Sequence, residues 1–151
     1  MVDDRRRNLS GRDLRGRNLF NADLHRVNLC GANLSRADLM VACLVEADLC
    51  GANLSRANLY GADLSRSRVA GANFQEATLL RANFSGVEFL EIGDAMADLS
   101  EAELKVVHLF QPNFFGGYAI EANLNWAIAD SATRWPEGFD PEAAGVVFDD
   151  V

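Results

Sequence analysis

The sequence predicts an all-β solenoid, a filled four-sided coil, and three observations predict it. A large apolar residue returns every five positions at Leu34, Leu39, Leu44, Leu49, Leu54 and Leu59. A small residue stands two places before each (Ala32, Ala37, Ala42, Ala47, Ala52, Ala57), with Asn or Asp between them except at Cys43. The heptapeptide GANLSRA at 31–37 recurs at 51–57, and Gly11, Gly31, Gly51 and Gly71 fall twenty apart, as do Cys30 and Cys50.

A period of five excludes the two ordinary readings. On a helix of 3.6 residues per turn each step would rotate the leucine by about 140°, leaving no buried stripe. On a flat strand, successive leucines would alternate between faces and half would lie in water. All of them reach one core only if the chain bends once per repeat. Twenty residues are four such repeats, so equivalent positions stack, each coil about 4.8 Å above the last.

The large residues run from Leu9, Leu14, Leu19, Leu24 and Leu29 to Leu64, Val69, Phe74, Leu79, Phe84 and Phe89, then Leu99, Leu104, Leu109, Phe114 and Leu124. Asp94 and Ala119 break the rule. Counting both positions gives about six coils and a rod about 29 Å long. The small residue also points inward at a crowded part of the core, so Ala52→Leu is expected to overpack it. Asn or Asp before each large residue is suited to bond backbone amides at a bend. The glycine column marks one corner expected to need φ > 0, as in a type II turn.

The pattern small, Asn or Asp, Leu or Phe, polar, then Gly or polar resembles the pentapeptide-repeat proteins over roughly Arg7 to Ala127. The resemblance implies a right-handed quadrilateral β-helix, and it leaves function open. The tail Trp135-Pro136-Glu137-Gly138-Phe139-Asp140-Pro141 is similar to tails of pentapeptide-repeat proteins from cyanobacteria. The division expected is a β-helix over 1–127 and a capping tail over 128–151. In that tail Trp135 and Phe139 would cover a coil end, with a short helix started by Asp140 and Pro141 and stopped by Gly145.

The 151 residues are one domain's worth and carry a net charge of −8. The charge is uneven: twelve Arg face ten acidic residues up to Leu90, and two basic residues face twelve acidic ones beyond it. A negative total disfavours a nucleic-acid ligand. The opening MVDDRRRNLS has no apolar run after its arginines, and no stretch reaches the length of a membrane span. Three cysteines without a secretory signal read as free thiols in a reducing cytoplasm. Cys30 and Cys50 are expected to be stacked neighbours poorly aimed for a disulfide.

Stacking by twenty also predicts columns on the outside. Asp48, Arg68, Glu88 and His108 form one, and Arg26, Glu46 and Arg66 another; both read as salt ladders that set register. A third is apolar: Phe20, Met40, Tyr60 and Leu80, followed by Ser100 and Ile120, with Val41 beside it. An apolar strip outside a rod marks a candidate partner surface.

Two segments break the pattern. At 91–96 Ile92 replaces the small residue and Asp94 the large one, predicting a bulge or outward loop. At 110–118 Pro112 and Gly117 occupy inward positions, so this is a distorted coil or a docking site, and Pro favours distortion.

Catalysis needs convergent groups in a sheltered cleft, which a filled coil does not offer. His25 and His108 lie several coils apart, outside metal-ligand spacing with any cysteine, and no histidine adjoins Ser35 or Ser55. There is no phosphate-binding glycine loop, and each Asp is too isolated for calcium. No catalytic residue, cofactor or metal is therefore expected. The leading expectation is a non-enzymatic scaffold holding an unidentified protein through Phe20, Met40, Val41, Tyr60 and Leu80, as a monomer or weak dimer. The alternative comes from the resemblance. Some members of the family mimic duplex DNA, bind DNA gyrase or topoisomerase and protect it from quinolones.

Overall fold

The computed structural model describes residues 7–84, 87, 97–98, 122–123, 126, 128–129, 131, 133, 135 and 138–149. From Arg7 to Phe84 the chain winds as nearly four coils of twenty residues. Twelve β-bridges record it, from Asn8–Asn28, Asp13–Asn33, Asn18–Asp38 and Asp23–Cys43 to Asp63–Asn83, all parallel and all between residues twenty apart.

One repeat shows how the backbone is satisfied. Ala32 N donates to Leu29 O across the corner at 2.9 Å, and Asn33 N to Arg12 O in the coil below at 2.8 Å. Leu34 N and Arg36 N reach up to Asn53 O at 2.7 Å and Ser55 O at 3.0 Å. The fifth amide, Ser35 N, donates to the side-chain Oδ1 of Asn33 at 3.1 Å. All five donors of the repeat have partners, which a backbone shielded from water requires. The fifth is why Asn or Asp precedes the large residue: its carboxamide or carboxylate oxygen closes an Asx turn. At Cys43 no such oxygen is present.

The core follows the period. Leu29 to Leu64, Phe74, Leu79 and Phe84 are fully buried, with alanine two places before each except Leu29, where Val27 is buried instead, and the Phe74 and Phe84 rings meet edge to face at 5.9 Å. At the first coil Leu9, Leu14 and Leu19 are only half-buried, and Arg7, Arg12 and Arg17 hold the positions that alanine takes higher up. These arginines are exposed, because no described coil lies beneath them. Ser67 holds the same inward position at full burial, and its hydroxyl has no hydrogen-bond partner.

The expectation of one glycine-dependent corner is corrected. Every fifth residue from Gly11 to Arg81 has positive φ, between 50° and 66°, on all four corners, although only six of these fifteen are glycine. Each corner is the same turn, closed by the amide three residues on, as in Ala37 N to Leu34 O at 3.0 Å and Ala42 N to Leu39 O at 3.0 Å. A side chain in this region costs about 1 kcal/mol. Rung hydrogen bonds above and below hold Asn, Arg and Glu there regardless.

Further along, β1 (Ala97–Asp98) pairs in parallel with β2 (Ala122–Asn123). Here the register is twenty-five residues, Ala97 to Ala122 and Asp98 to Asn123, so stacking by twenty does not hold across this pair. Ser100 and Ile120, expected to continue the apolar column, lie outside the described residues. The two irregular segments, 91–96 and 110–118, lie outside the described residues. β3 (Ile128–Ala129) pairs in parallel with β4 (Val147–Phe148), so the tail returns to add a rung of its own.

Between β3 and β4 the Trp135 and Phe139 rings stack at 5.4 Å and pack against the core. Asp140 Oδ1 accepts from Ala143 N at 3.0 Å, as a helix cap would. The expected short helix is instead a run of turns over 141–145, ended by Gly145 at φ 86°. Its closing bonds have three different spans: Gly145 N to Glu142 O, Ala144 N to Asp140 O and Val146 N to Pro141 O. Five residues are too few to propagate one of them.

Candidate interaction surface

The corner after Leu19, Leu39, Leu59 and Leu79 carries the apolar column. Phe20, Met40, Tyr60 and Leu80 each stand at the second residue of a turn. The amides of Phe20, Met40 and Tyr60 are held by Asn18, Asp38 and Asn58 Oδ1 at 3.0, 3.2 and 3.2 Å. Rung bonds fix their stacking: Asn21 N to Met40 O at 2.9 Å, Val41 N to Tyr60 O at 2.8 Å and Gly61 N to Leu80 O at 2.9 Å. Phe20 is 56% exposed and Val41 41%, while Met40, Tyr60 and Leu80 are half-buried against their neighbours. The Arg81 guanidinium lies 5.9 Å from the centre of the Tyr60 ring.

Val41 differs from every other corner residue of the coil. At φ 50° it is the one β-branched side chain among the described residues with positive φ, and branching at Cβ makes that region a steric outlier. Periodicity could not reveal this, since position 41 reads as another outward residue.

The charged columns are partly as expected. Arg26 Nε meets Glu46 Oε2 at 2.6 Å and Arg68 meets Asp48 Oδ2 at 2.7 Å, each pair twenty residues apart. Glu88 and His108 lie outside the described residues. Two pairs went unread: Arg56 with Glu76 at 2.8 Å, another stacked pair, and Arg15 with Asp13 at 2.6 Å within one turn. The Arg56 pair was legible as an opposite-charge column at i and i+20. Hydrogen bonds from these guanidiniums hold the Glu46, Glu76 and Asp13 carboxyls below their ordinary range.

Two of the thiols, Cys30 and Cys50, are quiet. Burial, with a hydrogen bond to the Asp48 carboxylate, pushes Cys50 up to about 12, and burial raises Cys30 as well. Thiolate, the reactive form, is therefore scarce at neutral pH. Cys30, Cys43 and Cys50 are all free.

A second surface feature was not read from the sequence. Arg15, Ser35, Arg36, Ser55, Arg56 and Glu76 line a shallow open groove of about 570 Å³ on the preceding corner. The small serines beneath flanking arginines were the available signal. Among the described residues, no group of three or more His, Cys, Asp or Glu is placed to hold a metal ion. No described helix is long and apolar enough to cross a membrane.

A parallel four-sided coil with a twenty-residue rung and Asx-closed corners defines a class, and comparison with known proteins agrees. The pentapeptide repeat family model matches in overlapping stretches that together run from residue 8 to residue 89, more than half the chain. The chain belongs to the pentapeptide repeat family, whose members are right-handed quadrilateral β-helices. No curated protein matches this sequence.

Among solved structures, the chain is similar to HetL from the cyanobacterium Nostoc sp. strain PCC 7120, a pentapeptide repeat protein involved in heterocyst differentiation regulation. The two are 30% identical with a TM-score of 0.69, over 93% of this chain and 56% of HetL. The chain thus spans little more than half the length of HetL. It also resembles a pentapeptide repeat protein of the Arabidopsis thaliana thylakoid lumen, at 29% identity and TM-score 0.51, over 72% of this chain and 69% of that one. A trypsin-treated form of QnrB1, a plasmid-mediated fluoroquinolone resistance protein, shares the fold alone, at 18% identity and TM-score 0.52, over 95% of this chain and 86% of QnrB1.

Proposed function

We propose that this protein is a non-enzymatic interaction scaffold of the cytoplasm. It is a rigid rod of about six coils over 1–127, closed by a cap over 128–151, and holds a protein partner on Phe20, Met40, Val41, Tyr60 and Leu80. The observation that carries this reading is Val41: a strained β-branched residue, 41% exposed, beside an exposed Phe20. Strain that gains the fold nothing concentrates where a surface is used. The likeness to HetL, described as acting in a regulatory process, supports a partner-binding role.

Affinity capture from the source organism tests it, using the wild-type chain beside a Phe20→Ser, Tyr60→Ser variant with an unchanged melting curve. A partner identified by mass spectrometry should be retained by the first and lost by the second. Equal retention by both overturns the assignment of this corner.

The acidic second half of the sequence favours a second reading, a duplex-DNA mimic acting on DNA gyrase or topoisomerase. Against it, residues 7–84 carry ten Arg and seven acidic residues, the wrong sign for a mimic of phosphates. A gyrase supercoiling assay with micromolar protein decides: inhibition, or protection from a quinolone, would revive this reading.

A further inference from the structure

Resting on the reading of the apolar corner as a partner surface, we propose that its occupant is an amphipathic α-helix. The helix lays an apolar seam along Phe20, Met40, Tyr60 and Leu80 and carries Lys or Arg on its flanks.

Backbone accounting excludes an added strand first. Strand addition needs a row of free amides and carbonyls. Along this corner the amides of Phe20, Met40 and Tyr60 are held by Asx side chains, and those of Asn21, Val41 and Gly61 by the next coil. Recognition here must therefore run through side chains.

Spacing then selects among side-chain rows. Strip residues stand one coil apart, about 4.8 Å, so four of them extend over about 14 Å. A helix presents a residue on one face once per turn, about 5.4 Å, and a strand once per about 6.7 Å. Over three steps the helix drifts from the strip by about 2 Å and the strand by about 6 Å. Only the helix stays in register.

Charge sets the flanks. Of the seven carboxylates in residues 7–84, Asp13, Glu46, Asp48 and Glu76 are in ion pairs. The other three, Asp23, Asp38 and Asp63, all lie on the two sides of the coil that meet at the strip. Their Oδ1 atoms accept from the amides of His25, Met40 and Ser65, and the amides of the Asn58 and Asn83 side chains add to Asp38 and Asp63. None of the three is in an ion pair among the described residues, and Arg81 over the Tyr60 ring puts one cation at the upper end of the strip. An apolar line bordered on both sides by unpaired carboxylates is complementary to an apolar seam bordered by Lys or Arg.

The test uses the full chain and three synthetic 18-residue probes: a Leu-seamed peptide with Lys flanks, its twin with Glu flanks, and the Lys peptide with a central Pro. Binding is read by fluorescence anisotropy, and peptide helicity by circular dichroism. The Lys peptide should bind at least tenfold more tightly than either other probe and gain helicity on binding. It should weaken at least tenfold with Tyr60→Ser, and severalfold with Asp38→Asn plus Asp63→Asn, which keep the Asx acceptors and remove only charge. If the Glu or Pro probe binds equally well, and Tyr60→Ser still abolishes binding, the corner stands as a partner surface and the cationic helix is overturned. If Tyr60→Ser leaves binding unaltered, or no probe binds, this proposal falls. A dimer in sedimentation that Tyr60→Ser dissociates would make the occupant a second copy and overturn it too.

Discussion

Val41 Cγ1 stands 3.2 Å from the place a β-carbon on Gly61 would occupy, one coil up the same corner. The two residues share one positive-φ column, at 50° and 63°, and the one without a side chain leaves room for the branched one.

Relieving Val41 should therefore separate stability from function. Val41→Asn, which tolerates the left-handed region, is expected to stabilise the fold by about 0.5–1 kcal/mol in urea unfolding. The same change should weaken partner binding. Gly61→Ala, which adds both strain and the contact with Val41, is expected to cost about 1–2 kcal/mol.

The Asx turns predict a pair of opposite effects. Asn53 Oδ1 accepts from Ser55 N at 3.0 Å, and Asn53→Ala would remove it, costing about 1 kcal/mol. Cys43→Asp would supply the missing acceptor below Val45 N and is expected to stabilise by about 0.5–1.5 kcal/mol. Chemical denaturation of the two variants checks both signs; a neutral Cys43→Asp would show that the amide of Val45 needs no side-chain acceptor.

Ser67 is the exception on the inside. Its buried hydroxyl has no partner, whereas Ala47 one coil below holds the same inward position with no polar atom. Ser67→Ala is expected to raise stability by about 1 kcal/mol, measured as an upward shift in melting temperature.

Two groups of side chains bound the pH range. The lowered carboxyls of Glu46, Glu76 and Asp13 contribute stability that is present above their ordinary values, 4.5 for Glu and 3.8 for Asp, and lost as pH falls through the folded ones. These groups are exposed, so the acid loss should be small and shrink further in high salt. Cys50 works at the other end. Its thiol is raised from 9.0 to about 12, so its contribution is complete below pH 9 and lost as pH rises toward 12. Cys50→Ala, matching Ala70 one coil above, should flatten the alkaline limb of a melting-temperature profile. An unchanged limb would place the loss in another group.

Much of the candidate surface was legible beforehand, because a column on a solenoid is sequence read in steps of twenty. Phe20, Met40, Tyr60 and Leu80 stack where that step puts them, and the Arg26–Glu46 and Asp48–Arg68 pairs form on the same rule. What it could not show was the strain at Val41 or which carboxylates stay unpaired. Those depend on rotamers and on backbone angles, which no count along the chain contains.

By itself the sequence determined the five-residue bend, the inward direction of Leu34 and Ala32 and their equivalents, and the twenty-residue rung. Each follows from where a side chain must point to leave water. Only the tertiary structure decided that all four corners take positive φ, that β1 and β2 pair at twenty-five residues, and that Val147–Phe148 returns beside Ile128–Ala129. The reason is common to all three. Rung hydrogen bonds join residues nineteen or more apart along the chain, and they override the local preference of the residues between.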